Sequence, residues 1–308
     1  MLAVLLALLS MAGCGDRSPA GQRADLLAAV PRSALERGLF LWSGPPDGGF
    51  GSALPERALD AVLGVQPGDI EAVAESGGVP FTVLLGDLGA DEAVETATAA
   101  GYEHAEVDGW ALLRRAGEPR DALQAAVPAA AVRGRVVVLG PPDEVAGLVA
   151  GAPSASEVEW VSAVSRSVEE PLLALGRPLP SLLAAAGGDA GALLQDQDAR
   201  GDLPEWDGWA AAVAAEGEAE AGQRSGALLL ALPEGAADAD AAGQLALRAA
   251  TGPVLGGGRR AADVLEGGAP TYESGTGLVR LPVTWHVPPA ALRQDVEASA
   301  YTFLVPSG

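Results

Sequence analysis

A single cysteine, Cys14, is the feature that most limits this chain: no internal disulfide can close any part of it, so the fold must be held by packing alone. The material for packing is ample. The chain has 308 residues, 49% hydrophobic and 19% charged, which is enough to bury a sizeable core and too apolar for a disordered segment. That length suits one large domain or two smaller ones. Aromatic residues make up only 4%, so the core has to be built from Leu, Val and Ala with few large anchors.

All 19 basic residues are arginine, there is no Lys or Asn, and Ile70 is the sole isoleucine. The missing types share AT-rich codons, which reads as the imprint of a GC-rich genome. The formal net charge is −22. Such a chain repels phosphate backbones and anionic head groups, and it has no basic stripe with interleaved aromatics. Nucleic-acid binding is therefore disfavoured, as is docking through a basic face. Acidity of this kind suits a solubility role in a secreted protein, or adaptation to salt.

The position of the cysteine carries more than its number. Leu2 to Gly13 reads LAVLLALLSMAG, uncharged throughout. A run of that length is too short to span a bilayer, which takes roughly 20 helical residues, and it matches the apolar core of a secretory signal. Small Ala12 and Gly13 follow, and then Cys14. The segment Met11-Ala12-Gly13-Cys14 resembles the lipobox of bacterial lipoproteins. It has Met where Leu is usual, and no basic residue precedes the apolar run. The resemblance implies cleavage before Cys14 and acylation of its thiol, a lipid attachment that would hold the protein on the outer face of a membrane. Gly15 to Arg23 is short, polar and rich in Gly, Pro and Ser, and reads as a flexible tether. The expected organisation is a signal peptide at 1–13, a lipid-anchored tether at 14–25, a first α/β half at 26–170 and a second at 171–308.

Within the body, residues 79–85 read as a buried strand, Gly86 to Gly89 as a turn, and residues 90–100 as a helix with Asp91 and Glu92 in its first turn. Tyr102–Val107 and Trp110–Arg115 read as strands joined at Asp108-Gly109, a strong hairpin signal. Residues 135–139 form another expected strand, followed by a helix over 143–149. Residues 227–232, 238–250, 270–274 and 278–286 repeat the order strand, helix, strand, strand. In the last of these, Val279, Leu281, Val283 and Trp285 share one face, and Pro282 predicts an edge position or a bulge. Trp206 to Gln223 is ambiguous between a helix and a strand paired with 227–232. The expectation is an α+β fold of two similar α/β halves, each a mostly antiparallel sheet with helices packed on one face. The strand ending in Gly86-Asp87, the acidic helix, Gly101-Tyr102 and Asp108-Gly109 make the body similar to uncharacterised acidic secreted lipoproteins of high-GC bacteria. That group brings no activity with it.

Chemistry is hard to find in the sequence. Gly49-Phe50-Gly51-Ser52-Ala53 does not complete a nucleophile elbow. The two histidines, His104 and His286, each lie on the polar side of an expected strand. Asp196 to Asp202 begins like a calcium loop but places Arg200 at the fifth position, where an oxygen ligand belongs. Gly256-Gly257-Gly258-Arg259-Arg260 follows a helix and matches no phosphate-binding motif. Acid pairs such as Glu169-Glu170 and Glu157 with Glu159 read as solvated faces. Trp206 and Trp209 suit core packing better than a sugar or peptide platform. The sequence thus offers no catalytic residue, no metal ligand and no cofactor site. It favours a non-enzymatic binding or structural role in the cell envelope, with the membrane as one partner and an envelope protein or glycan as another. The alternatives are an extracytoplasmic hydrolase using carboxylates or a histidine, and a calcium-dependent surface module.

Overall fold

The computed structural model describes residues 18–43, 56–77, 81–176, 206–214, 223–233, 239–251, 260–297 and Leu304. Strands β1 (Leu39–Ser43), β2 (Ile70–Ser76), β3 (Thr82–Gly86), β4 (Tyr102–Val107), β5 (Trp110–Arg115), β6 (Ala129–Arg133) and β7 (Val136–Gly140) come from the first part of the chain. The second part supplies β8 (Leu172–Leu175), β9 (Gly208–Val213), β10 (Arg224–Ala231), β11 (Leu265–Gly267), β12 (Thr271–Glu273) and β13 (Leu278–Trp285). They form one 13-stranded sheet in the order β11-β13-β10-β9-β8-β1-β2-β3-β7-β6-β5-β4, with β12 also on β13. The strand pairs are antiparallel throughout.

Helices α1 (Pro19–Ala28), α2 (Glu56–Leu63), α3 (Ala90–Ala99), α4 (Ala122–Ala126), α5 (Pro142–Val149), α6 (Glu159–Ser167), α7 (Ala239–Thr251) and α8 (Pro289–Glu297) cover this sheet. They do so on both faces, which corrects the expectation of helices on one face. Alternation along the strands shows it. Leu39 and Leu41 of β1 pack with Leu26 and Leu27 of α1, Val145 of α5 and Val161 of α6. Phe40 and Trp42, pointing the other way, pack with Leu245 of α7 and Leu292 of α8. On that same second face, Leu84, Leu113 and Val137 meet Leu59 and Val62 of α2 and Ala93 of α3. A strand buried on both faces needs apolar residues along its length, as β8 and Leu39 to Trp42 of β1 have.

Where the sequence carried turn chemistry, the structure follows it. Asp108 (φ 48°) and Gly109 (φ 77°) both take positive φ, the geometry of the tight hairpin joining β4 to β5. Of the ambiguous segment 206–223, residues Gly208–Val213 form strand, with Trp209 of β9 opposite Leu230 of β10; residues 215–222 lie outside the described residues. Pro282 sits where the outer neighbour of β13 changes, since β11 ends opposite Val283 and β12 begins opposite Arg280. Its missing N–H is tolerated there, and its carbonyl still accepts from Gly268 N at 2.7 Å.

Residues 19–25, expected as part of a tether over 14–25, lie in a helix. Ser18 accepts a capping bond from Gly21 N, Pro19 stands in the first helical turn, and α1 runs on to Ala28. Pro lacks only an N–H that would have gone unpaired there. Arg23 of α1 is fully buried; its guanidinium donates to the carbonyl of Glu170 at 2.7 Å and to that of Val168. From the far side, Arg280 of β13 donates to Ser167 O at 3.0 Å and pairs with the Glu170 carboxylate at 3.1 Å. The last carbonyls of α6, which have no acceptor role within the helix, are thus taken by two cations, the charge favoured at that end.

Packing over the sheet is close. The Trp285 indole crosses Gly226 and donates to Ala212 O at 2.9 Å. A Cβ on Gly226 would lie 2.0 Å from that carbonyl oxygen and 2.7 Å from the indole nitrogen, so no larger residue fits without rearrangement.

Candidate functional site

An open groove of about 470 Å³ lies at one end of the sheet. Three elements build it. Helix α3 contributes Ala90, Asp91, Val94 and Glu95, the β4–β5 hairpin contributes His104, Glu106, Gly109 and Ala111, and the β6–β7 turn contributes Val132, Arg133 and Gly134. The local reasons are visible in the sequence. Gly89 starts α3 directly after β3, so its acidic first turn returns beside the sheet. His104 and Glu106 are two apart on β4, hence on one face, and their rings and carboxylates meet at 3.1 Å.

β4 is the last strand of the sheet, and Glu103, His104, Ala105 and Glu106 are all exposed. Charges on an outer strand discourage pairing with other chains. The Arg133 guanidinium carbon lies 4.2 Å from the Trp110 ring centroid, so this cation is engaged by an aromatic ring. Asp91, Glu95 and Glu106 give the groove a net negative lining. It is open to solvent, and among the described residues no three His, Cys, Asp or Glu side chains converge as metal ligands. It is an open, largely polar depression.

The other expected positions are dispersed. His286 follows β13, near the opposite edge of the sheet from His104, so the two histidines cannot share a site. Trp206 and Trp209 are both buried, and the Trp206 indole donates to Leu304 O at 2.7 Å, which removes them as an exposed platform. Glu170 is engaged by Arg280, while Glu157 accepts from Ser154 N at 2.9 Å in a capping box. Cys14, the calcium-like stretch Asp196 to Asp202 and residues 256–259 of the Gly-Arg loop lie outside the described residues.

Sequence reading missed a buried ion pair. Glu75 of β2, 3% exposed at its side chain, pairs with Arg293 of α8, which also lies 5.2 Å from the Phe40 ring centroid. The pair links a strand of the first part of the chain to a helix of the second. The signal in the sequence was slight: the second of two acids in the strand Ile70–Ser76, set between Ala74 and Ser76.

Fold and groove together define an antiparallel α+β body with a helical layer on each face and an open acidic depression near one sheet edge. No protein-family model matches the chain, and neither does any curated protein sequence. Two crystal forms of TP0453 resemble it weakly. Form I gives a TM-score of 0.41 at 9% identity, covering 90% of this chain and 98% of that one. Form III gives 0.34 at 10% identity, covering 88% and 97%. Likeness at that level assigns neither family nor function.

Proposed function

We propose that this is a lipid-anchored extracytoplasmic protein with a binding or structural role in the cell envelope. The observation that carries it is the order of three features: an uncharged apolar run, the small pair Ala12-Gly13, and the sole cysteine, Cys14. Support comes from the position of the first described helix. Ser18 caps α1 four positions after Cys14, so cleavage before the cysteine would remove no part of the described body. Several acyl chains, each contributing about 0.8 kcal/mol per buried methylene, would hold the body at the membrane. Envelope proteins and glycans are the partners this location offers.

The body itself reads as two related halves joined edge to edge. The run β1-β2-β3-β7 and the run β8-β9-β10-β13 have the same layout: three strands in meander, a helix after the third, and a later strand returning beside it. β1 and β8 pair at the centre, Leu39 opposite Leu175. This layout supports a duplication.

The deciding experiment is the mass of the N-terminal peptide from protein extracted from the membranes of a GC-rich bacterial host. An acylated Cys14 as first residue is expected, and Cys14→Ala should release the protein from the membrane fraction. A chain retaining Met1, or starting elsewhere without lipid, would sink the proposal.

A further inference from the structure

Resting on the lipid attachment at Cys14, we infer that one particular end of the sheet is the membrane-facing surface of this protein. Four chain steps separate Cys14 from the helix cap Ser18. Fully extended, they reach about 14 Å. α1 cannot swing away to lengthen that reach, because Arg23 is buried against the carbonyls of Val168 and Glu170 and Ser43 Oγ donates to Pro19 O at 3.3 Å. The point of attachment is therefore fixed on the body.

It lies at the end of the central strands where β1 finishes. Ser43 N donates to Pro171 O there, and the antiparallel register brings the start of β2 and the end of β3 to the same end. The exposed groups around it include Asp87 and Glu169, with Asp69 and the ion pair of Glu71 with Arg135 partly exposed beside them. Acids do not draw the body onto anionic lipid. The short covalent connection, not charge, sets which end approaches the bilayer. The opposite end of the same strands, where Arg32–Arg37 enters β1, then faces away from the bilayer.

The partner for the near end is a lipid surface, and the test reads distance to it. Acylation blocks the Cys14 thiol, so an introduced cysteine is the sole labelling site on the lipid-anchored protein. Asp87→Cys and Glu36→Cys place a fluorophore at exposed positions at the two ends, separated along the strand axis by about 15–20 Å. Energy transfer to acceptor-labelled head groups in phosphatidylcholine vesicles should be about twofold or more higher from position 87. Inserting about 20 Gly/Ser residues after Cys14 should erase the difference. Equal or reversed transfer with Cys14 acylated would overturn the orientation and leave the anchored reading standing. A difference that survives the insertion would also overturn it, because the short connection would not be the cause. An unacylated Cys14 in the intact mass would overturn both.

Discussion

Arg23 and Glu170, 147 positions apart, meet as donor and acceptor: the guanidinium of the first helix reaches the Glu170 carbonyl at 2.7 Å in the space beyond α6. Burial pushes the Arg23 pKa down from its ordinary value, and the nearby Glu170 carboxylate partly offsets this. Arg23→Met would leave the Val168 and Glu170 carbonyls without that donor. The expected loss is about 3 kcal/mol, seen as a lower urea midpoint at unchanged slope. Arg23→Lys should recover little, since one ammonium cannot reproduce the two-pronged guanidinium. Wild-type midpoints in both variants would show the contact to be idle.

The Glu75–Arg293 pair invites a double-mutant cycle. Arg293→Met takes the guanidinium from a carboxylate that is 3% exposed, and should cost about 3 kcal/mol or more. Glu75→Leu with Arg293→Met should recover much of that, because the uncompensated charge is gone. A coupling energy near zero would mean that α8 is held by its apolar face alone.

Tyr102 should govern part of the alkaline limb. Its phenol is buried and donates to Val127 O. Burial raises its pKa above the ordinary 10.0; Arg115 opposes that shift and Asp121 adds to it. A folded-state pKa above the unfolded value contributes stability that is complete below about pH 10 and is lost as pH rises through the folded pKa. The chain has no lysine to obscure that titration. Tyr102→Phe should cost about 1 kcal/mol at pH 8. Its midpoint should then fall less than wild type's between pH 9 and 11; parallel curves would remove Tyr102 as the cause.

Gly226→Ala tests the crossing of Trp285 over β10. A Cβ at 2.0 Å from Ala212 O forces the strands or the indole to shift, at about 1–3 kcal/mol. Trp285→Phe keeps an aromatic cover, loses the bond to Ala212 O, and should relieve part of the strain in the double variant. Strict additivity of the two substitutions would count against their contact.

Parts of the fold were legible because local chemistry and tertiary structure agree there. Asp108-Gly109 needs positive φ and has it, and the 3.6-residue spacing of Ala93 and Ala97 marks the buried side of α3. β1, β6 and β8 were not legible for a physical reason. Leu39 to Trp42, Ala129 to Val132 and Leu172 to Leu175 are apolar at every position because both faces are covered, which erases the period of two. The helices over 90–100 and 238–250 were expected and lie on the second face; that helices cover both faces went unforeseen for the same reason. α1 hid behind Gly21, Gln22 and Arg23, although Ser18-Pro19 is a helix-start signal. Of the groove, the pairing of His104 with Glu106 was readable from strand spacing. Arg133 and Gly134 reach it only through sheet order, which no local pattern encodes.

The seam between β1 and β8 has a consequence for how the chain assembles. β1 is central, yet one of its two neighbours is encoded more than a hundred positions later, Leu39 meeting Leu175. During synthesis the strands up to β7 can assemble first, leaving β1 as a bare rim, apolar from Leu39 to Trp42. Until β8 arrives, that rim is the most adhesive surface the nascent chain has, open to a second copy as readily as to its own continuation. Quality control of this protein is therefore a race between elongation and self-association at one seam.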